Sequence, residues 1–273
     1  MDQKRHFIVV AAASQGARLF IKKALRQGHD VTALCRAPDD QGAFKRVTKL
    51  INEATLTDGG IEAAQTEGKL QARNSNILEP DTYAALLDGD PSIDAVCCFV
   101  GVTRLKEMLN KEHKLYTRTI SAIIEGMRQS RWVEFFYHGS SGSEGPPGEN
   151  NAKLPENFTA KWLLNPFLHM PAVKDYRESE GLLAQSTAEG MRFVIFRPAF
   201  LTNGPAKRQY GYCFDTTGLD KEELPLRHTT MTISREDVSE EILRVATLPE
   251  HERESWHGHG VYLVDLKKSF ART

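Results

Sequence analysis

The sequence predicts an α/β fold with a doubly wound parallel sheet, because short apolar runs alternate with helical stretches along most of its 273 residues. The clearest pattern lies near the start, where residues 7–12 form an apolar run and residues 18–27 have helical spacing. Gly28 stops that helix, and residues 31–34 form the next apolar run. This order of strand, helix and strand is typical of the first half of a Rossmann-type sheet.

The alternation continues to the end of the chain. Helices are predicted at residues 81–87, 105–129, 175–189 and 235–247, and strands at residues 93–100, 133–137, 193–196 and 260–264. Because these strands are largely apolar, we expect helices to cover both faces of the sheet. A chain of this length fits one large domain. Residues 1–273 are therefore predicted to form a single nucleotide-binding domain with a small C-terminal substrate lobe.

Two segments lack a regular period and are expected to border a cleft. Residues 139–172 are predicted to form a lid-like insertion, since long irregular segments in compact domains are commonly functional. Residues 198–232 are predicted to supply the substrate lobe. Large apolar side chains are concentrated in both segments: Phe158, Trp162, Phe167, Met170, Phe200, Tyr210, Tyr212 and Phe214. Such a lining favours a small organic substrate that is apolar or aromatic.

The composition excludes several classes of partner. The 35 basic and 36 acidic residues nearly cancel, so no nucleic-acid partner is expected. No apolar stretch is long enough to span a membrane, and the first residues lack the pattern of a secretory signal, so we expect a cytoplasmic protein. The four cysteines include the neighbours Cys97 and Cys98 but no CxxC spacing, which favours buried thiols. The oligomeric state stays open.

The turn after the first strand departs from the glycine pattern of dinucleotide-binding proteins. In that class the pyrophosphate rests on the N-terminus of the first helix, and glycines permit positive φ and close approach of the backbone. Counting back from Gly28, the expected glycines fall on Ala11, Ser14 and Ala17. A serine hydroxyl can donate to a phosphate, so weakened nucleotide binding is predicted; the alternative is a turn without a ligand. The predicted cofactor contacts here are Ala13, Ser14, Gln15 and Gly16.

Three further residues favour a nicotinamide cofactor. Arg36 follows the second strand, where an acidic residue would accept the ribose 2′-hydroxyl of NAD and an arginine accommodates the 2′-phosphate of NADP. NADP(H) is therefore the predicted cofactor, although an exposed arginine at a strand end is also common. Asn76, near the end of the third strand, is a candidate for contact with the adenine, and Gly101, after the fourth strand, for contact with the ribose.

Four segments carry a resemblance to a known family: residues 28–36 (GHDVTALCR), 94–101 (DAVCCFVG), 192–202 (RFVIFRPAFLT) and 233–238 (ISREDV). With them the chain resembles the atypical short-chain dehydrogenases that include NmrA-like proteins and biliverdin reductase B-like enzymes. The resemblance implies that the Arg-Pro after the sixth strand shapes the nicotinamide end, with Pro198 and Ala199 lining the cofactor. It also implies that Ser140 and Ser141 face the substrate, and that residues 233–238 begin a structural helix.

The usual catalytic pair of short-chain dehydrogenases, Tyr-x-x-x-Lys, is incomplete. Tyr176 is followed four residues later by Glu180, and a carboxylate would raise the phenol pKa where a lysine would lower it. Asp175 is a second candidate, since the chain also resembles fungal biosynthetic enzymes in which an aspartate replaces the pair; the alternative is that it caps the helix predicted to start there. His138, at the end of the fifth strand, is a candidate acid or base near neutral pH, or a structural histidine. Ser140 completes the catalytic candidates.

Three functions remain open from the sequence. The first is an NADP(H)-dependent reductase acting on a small organic carbonyl, imine or enone. The second is a cofactor-independent cyclase or isomerase in a biosynthetic pathway of secondary metabolism, which the missing glycines and lysine favour. The third is an NADP-sensing regulator without strong catalysis. No metal is predicted, because the histidine pair His257 and His259 lacks an obvious third ligand.

Overall fold

A computed structural model describes residues 4–56, 68–101, 105–110, 112, 114–140, 170–214 and 232–266. Ten strands lie in these ranges: β1 (His6–Val10), β2 (Asp30–Cys35), β3 (Leu70–Asn74), β4 (Ala95–Cys98), β5 (Glu134–His138), β6 (Phe193–Pro198), β7 (Phe200–Thr202), β8 (Tyr210–Phe214), β9 (Thr232–Ser234) and β10 (His259–Asp265). Eight of them form one sheet in the order β3-β2-β1-β4-β5-β6-β10-β8, and β7 pairs with β9. All pairings in the large sheet are parallel except that of β10 with β8.

The described helices cover both faces of this sheet. They are α1 (Gln15–Arg26), α2 (Asp40–Glu53), α3 (Pro80–Gly89), α4 (Leu105–Met108), α5 (Leu115–Gln129), α6 (Pro171–Ser186), α7 (Arg235–Thr247) and α8 (Glu250–Arg253), with single 3-10 turns at Thr187–Glu189 and Glu254–Trp256. One core cluster lies under α1, α2 and α7, and the other under α3, α5 and α6. The doubly wound Rossmann-type fold predicted from the alternating pattern is therefore confirmed.

The strand order places the expected cleft. Parallel strands β1 and β4 are neighbours although β2 and β3 follow β1 in the chain, so the strand order reverses at this point. In open α/β sheets, ligands bind outside the carboxyl ends of the strands at such a switch point. Gly28 turns the chain from α1 into β2 with φ of 84°, a left-handed conformation that glycine adopts without steric cost.

The helix predicted at residues 105–129 is two helices, α4 and α5. The carboxylate of Asp175 accepts hydrogen bonds from the backbone N–H groups of Tyr116 (2.9 Å) and Thr117 (3.0 Å), the first free donors of α5. An acidic side chain at this position starts a helix because it satisfies N–H groups that lack intrahelical partners. The periodicity of the sequence does not reveal this break, since the capping group comes from a distant helix.

Other elements also differ from the prediction. Helix α6 begins at Pro171 rather than at Asp175, consistent with the preference of proline for the first helical turn. The antiparallel edge strand β8 was not predicted. Helix α7 begins at Arg235 as the resemblance implies, and Ser234 caps it by accepting a hydrogen bond of 2.9 Å from the N–H of Asp237.

Most of the predicted lid, residues 141–169, lies outside the described residues, as do Ser141, Phe158, Trp162, Phe167 and residues 215–231 of the predicted substrate lobe. Within the described ranges, no helix has the length and apolar character needed to cross a membrane. Cys35, Cys97 and Cys98 are free and buried. Burial raises the pKa of the Cys98 thiol to about 12, which makes it chemically inert.

Candidate functional site

The turn between β1 and α1 keeps a strained backbone although its glycines are absent. Ala11 has φ of 59°, in the left-handed region, at the position where the spacing predicts a glycine. Its carbonyl accepts a hydrogen bond of 2.9 Å from the N–H of Ser14, which closes the turn. Ser14 then caps α1, because its hydroxyl accepts from the N–H of Ala17 at 3.3 Å. The serine hydroxyl expected to compensate for a glycine thus holds the helix start itself.

Gly16 is closely packed at this corner and does not have a positive φ. A Cβ added at this residue would lie 3.2 Å from Cδ1 of Phe99 and 3.9 Å from Cδ2 of His138. Its carbonyl accepts a hydrogen bond of 3.0 Å from the hydroxyl of Ser239 on α7. The first turn of α1 is therefore drawn close both to the ends of β4 and β5 and to α7. Ala13 is half-buried and Gln15 exposed beside it, at the open side of the turn.

Two arginines meet at the end of β2. Arg36 is exposed directly after the strand, and its carbonyl accepts a hydrogen bond of 2.6 Å from Nη1 of Arg46 on α2. Sequence reasoning missed Arg46 because α2 itself was not predicted; a helix there would have placed a basic residue beside the strand end. Arg18, on the first turn of α1, adds a third cation with a buried Nε that has no hydrogen-bond partner within the described ranges.

Asn76 and Gly101 lie at the same sheet edge with different environments. The Asn76 side chain accepts from the N–H of Leu78 at 3.2 Å and donates to Glu79 at 3.0 Å, so it shapes the turn before α3. Gly101 is exposed, and a Cβ added there would meet no atom of the described residues within 4 Å. A ligand could approach Gly101 past these residues, whereas Asn76 would have to exchange local hydrogen bonds to contact an adenine.

His138 and Ser140 lie at the end of β5. The imidazole of His138 is 5.7 Å from the Phe99 ring, centroid to centroid, and both residues border Gly16. Burial lowers the pKa of His138 to about 4, and nearby Arg235 acts in the same direction. With this pKa the imidazole is neutral near pH 7, which favours the alternative of a structural histidine. Ser140 is half-buried just beyond it, where the chain leaves the sheet.

Asp175 has a structural position. Its carboxylate caps α5 and accepts a hydrogen bond from the hydroxyl of Thr117, in addition to those from the two N–H groups. The side chain is 1% exposed. The expectation that Asp175 stands at the start of its own helix and caps it is corrected: it lies one turn inside α6 and caps the neighbouring helix α5. A carboxylate that accepts these hydrogen bonds and is shielded from solvent is poorly placed to reach a substrate.

Tyr176 lies in an aromatic cluster. Its ring stacks on Tyr116 at 3.7 Å between centroids, and Tyr137 lies 5.9 Å away. Burial, rather than the carboxylate four residues later, raises the Tyr176 pKa well above its usual value. The pKa of Tyr176 is therefore shifted in the expected direction, but the main cause is burial and not the carboxylate of Glu180. A phenol that is 9% exposed and stays protonated packs the core between α5, α6 and β5.

Glu180 is paired with Arg197 in the interior. Its Oε2 lies 2.8 Å from Nη2 of Arg197, and both side chains are fully buried. The guanidinium also lies over the ring of Tyr262 at 5.3 Å. Arg197 and Pro198 are the last residues of β6, not a segment after it, and Pro198 is buried in register with Leu263 of β10. The arginine implied to shape the nicotinamide end thus holds the glutamate that replaces the usual lysine.

These features define a Rossmann-fold protein with a nucleotide-type turn at its switch point. The sequence profile of the NAD(P)H-binding family matches residues 11–249, and the chain belongs to this family. The predicted family resemblance is therefore confirmed. A search of curated proteins gave no significant match. None of the described residues forms a His, Cys, Asp or Glu cluster able to hold a metal.

Solved structures show the same fold at low sequence identity. A short-chain dehydrogenase/reductase of Veillonella parvula, solved in complex with NADP, is 13% identical with a TM-score of 0.60, over 99% of this chain and 98% of its own. The anaerobillin reductase ChuY of Escherichia coli O157:H7 is 15% identical with a TM-score of 0.59, over 95% and 97%. A provisionally named NADH-flavin reductase of Streptococcus pneumoniae is 17% identical with a TM-score of 0.56, over 96% and 99%.

Proposed function

We propose that this protein is an NADP(H)-dependent reductase that acts on a small apolar organic substrate. The observation that carries the proposal is the β1–α1 turn, which retains the left-handed φ at Ala11 and the capped start of α1 without the usual glycines. A backbone held in that conformation keeps the N–H groups of the helix start directed to the carboxyl edge, where a pyrophosphate binds in this fold. The methyl group of Ala11 leaves the phosphates less room to approach the backbone, but the N–H donors stay in place.

The adenosine end of the cofactor would lie at the end of β2. Arg36 is exposed there, and the guanidinium of Arg46 reaches its carbonyl. Two arginines suit a 2′-phosphate, because a guanidinium pairs with phosphate oxygens through charge-assisted hydrogen bonds. No acidic residue occupies the position directly after β2, where NAD-specific proteins have one to bind the ribose hydroxyls. These features support NADP(H) over NAD(H).

The reacting end would lie at the ends of β4, β5 and β6. When bound, the nicotinamide supplies or accepts a hydride. Ser140 is the hydroxyl best placed to donate a hydrogen bond to a substrate oxygen, and His138, neutral near pH 7, lies close to it at the end of β5. Pro198 closes this side as a rigid strand end. Asp175 and Tyr176 are assigned structural roles in this proposal, because both are buried and Asp175 is engaged in capping α5.

The test is a calorimetric titration of the purified protein with NADPH, NADP and NADH. We expect NADPH to bind at least about tenfold more tightly than NADH, since one charge-assisted phosphate contact accounts for roughly that factor. Arg36→Ala should remove the preference and leave NADH binding unchanged. Arg192→Ala is the matched control, because Arg192 is an exposed arginine before the amino end of β6. No binding of any nucleotide at millimolar concentration would disprove the proposal.

A second candidate, an NADP-sensing regulator, is favoured by a different observation. Asp175 and Tyr176 are buried in the core, and burial lowers the pKa of His138 to about 4, which favours nucleotide binding without strong catalysis. Nucleotide binding without turnover of any carbonyl, imine, flavin or tetrapyrrole substrate would favour the regulator. A cyclase or isomerase requires conversion of its substrate with no nucleotide present, and the same assays detect it.

A further inference from the structure

Arg235, the first residue of α7, lies beside the nucleotide-type turn. The hydroxyl of Ser239 lies 3.0 Å from the carbonyl oxygen of Gly16 and 2.7 Å from that of Arg235, and these two acceptors share its one proton. One hydroxyl therefore joins the start of α7 to the start of α1. His138, which borders Gly16, also lies within electrostatic range of Arg235. The arginine thus belongs to the same corner of the carboxyl edge as the first turn of α1.

The guanidinium of Arg235 is held in place by neutral groups. Its Nη1 donates to Oδ1 of Asn203 at 2.6 Å and lies 3.5 Å from the carbonyl of Leu201. Both acceptors belong to β7 or the residue after it, so the side chain extends along the carboxyl edge. Across the part of the chain that the structure describes, no carboxylate lies within ion-pair distance of this guanidinium. Burial lowers its pKa, as expected for a cation partly withdrawn from water without a counter-ion.

The two acids next to Arg235 in the sequence are engaged elsewhere. Glu236 lies 3.4 Å from Nζ of Lys23 and accepts from the N–H of Ala206. Asp237 accepts from the N–H groups of Lys207 (3.0 Å) and Arg208 (2.9 Å). Partial burial of a cation costs free energy unless an anion pairs with it, and the two neighbouring carboxylates already have other partners. The missing partner is therefore expected in a ligand.

We propose that Arg235 binds the pyrophosphate of the nucleotide and compensates for the absence of glycine at Ala11, Ser14 and Ala17. This inference rests on the proposed nucleotide binding and adds a binding residue outside the β1–α1 turn. Where glycines let the backbone approach the phosphates, this protein brings a charged side chain from α7. Asn203 has a positioning role, because it orients the guanidinium without contacting the ligand.

The experiment compares three probes on the wild type and on Arg235→Gln: NADPH, ADP-ribose and adenosine 2′-monophosphate. ADP-ribose has the pyrophosphate and lacks the 2′-phosphate, whereas adenosine 2′-monophosphate has only the latter. We expect Arg235→Gln to weaken NADPH and ADP-ribose about tenfold or more and to leave adenosine 2′-monophosphate within twofold. Arg36→Ala should give the reverse pattern with the last two probes. Arg244→Gln, on the same helix but paired with Glu241, is the matched control.

Two further variants keep the test decisive if Arg235→Gln does not fold. Arg235→Lys keeps the charge and should retain part of the ADP-ribose affinity, and Asn203→Ala, at an exposed residue, should weaken it about threefold by releasing the guanidinium. Unchanged ADP-ribose affinity in Arg235→Gln, with binding intact in the wild type, overturns the role of Arg235 alone. The role is also overturned if Arg235→Gln changes only the KM of a carboxylate-bearing substrate and leaves nucleotide affinity unchanged. Absence of all nucleotide binding in the wild type overturns both proposals.

Discussion

Charged side chains are paired differently at the amino edge of the large sheet, where its parallel strands begin, and at the carboxyl edge, where they end. At the amino edge, Glu134 lies 2.6 Å from Arg5, 3.0 Å from Arg253 and 3.0 Å from Nε2 of His257, so one buried carboxylate gathers three basic groups. At the carboxyl edge, by contrast, Arg36, Arg46 and Arg235 form no ion pair with any carboxylate that the structure describes.

The difference separates stability from binding. A carboxylate that is 2% exposed and shared by several donors fixes the ends of β1, β5 and β10 against one another. Arginines without carboxylate partners contribute little to folding, but they retain the donors that an anionic ligand needs. The comparison predicts that changes at the amino edge alter the free energy of unfolding, and that changes at the carboxyl edge alter nucleotide affinity.

The largest effect is expected at the buried ion pair between Glu180 and Arg197. Glu180→Lys restores the Tyr-x-x-x-Lys spacing but places an ammonium group against the buried guanidinium of Arg197. Two adjacent buried cations should destabilise the protein by about 5 kcal/mol or more, so little folded protein is expected. Chemical denaturation measures this. Glu178→Lys, on an exposed part of the same helix, should cost less than about 1 kcal/mol. A folded, active Glu180→Lys enzyme would refute the structural assignment of Glu180.

Glu134→Gln tests the amino edge itself. The amide keeps the shape of the side chain but removes the close pair with Arg5, whose buried guanidinium keeps only the longer contact to Asp94 at 3.9 Å. We expect a loss of about 3 to 5 kcal/mol in the free energy of unfolding, with unchanged nucleotide affinity of the folded fraction. Urea denaturation and calorimetry measure the two quantities separately. Glu250→Gln, which removes an exposed pair with Arg192, should cost less than about 1 kcal/mol. A cost below about 1 kcal/mol for Glu134→Gln as well would contradict the role of the amino edge in stability.

The two edges should also lose stability in separate pH ranges. The basic groups around Glu134 hold its pKa at about 2 against the opposing effect of burial, below the usual 4.5. Its contribution of about 3 kcal/mol is therefore complete above pH 4.5 and is lost as the pH falls towards 2. Burial lowers the pKa of His138 from 6.5 to about 4, so the unfolded chain binds a proton more readily. Stability should thus fall by up to about 3 kcal/mol between pH 6.5 and 4.

Denaturation across this pH range, repeated with His138→Gln, separates the two contributions. The variant should lose much of the slope between pH 6.5 and 4 and keep the loss below pH 4.5. Some slope will remain, because burial also lowers the pKa of His6. An unchanged profile in His138→Gln would show that the imidazole is not the group that responds.

The comparison also explains which parts of the molecule could be predicted. The alternation of apolar runs predicts the sheet, because burial on both faces makes the central strands β1, β4, β5 and β6 largely apolar. The break between α4 and α5 could not be predicted, since it depends on Asp175 of a helix that lies far along the chain. The same holds for Arg46 and Arg235, which reach the candidate site only once α2 and α7 are packed. Arg36 was found because its position follows directly from a strand end.

The smallest effect is expected at Ala11, in the β1–α1 turn at the carboxyl edge. Its φ of 59° is unfavourable for alanine by about 1 kcal/mol, and the added flexibility of glycine in the unfolded chain offsets part of the gain. Ala11→Gly should therefore stabilise the protein by less than about 1 kcal/mol and tighten NADPH binding about threefold, because the methyl no longer limits the approach of the phosphates. Ala13→Gly, in the same turn without a positive φ, should destabilise the protein by roughly 0.5 kcal/mol. Equal effects of the two variants on stability and affinity would show that the conformation of Ala11 does not limit the site.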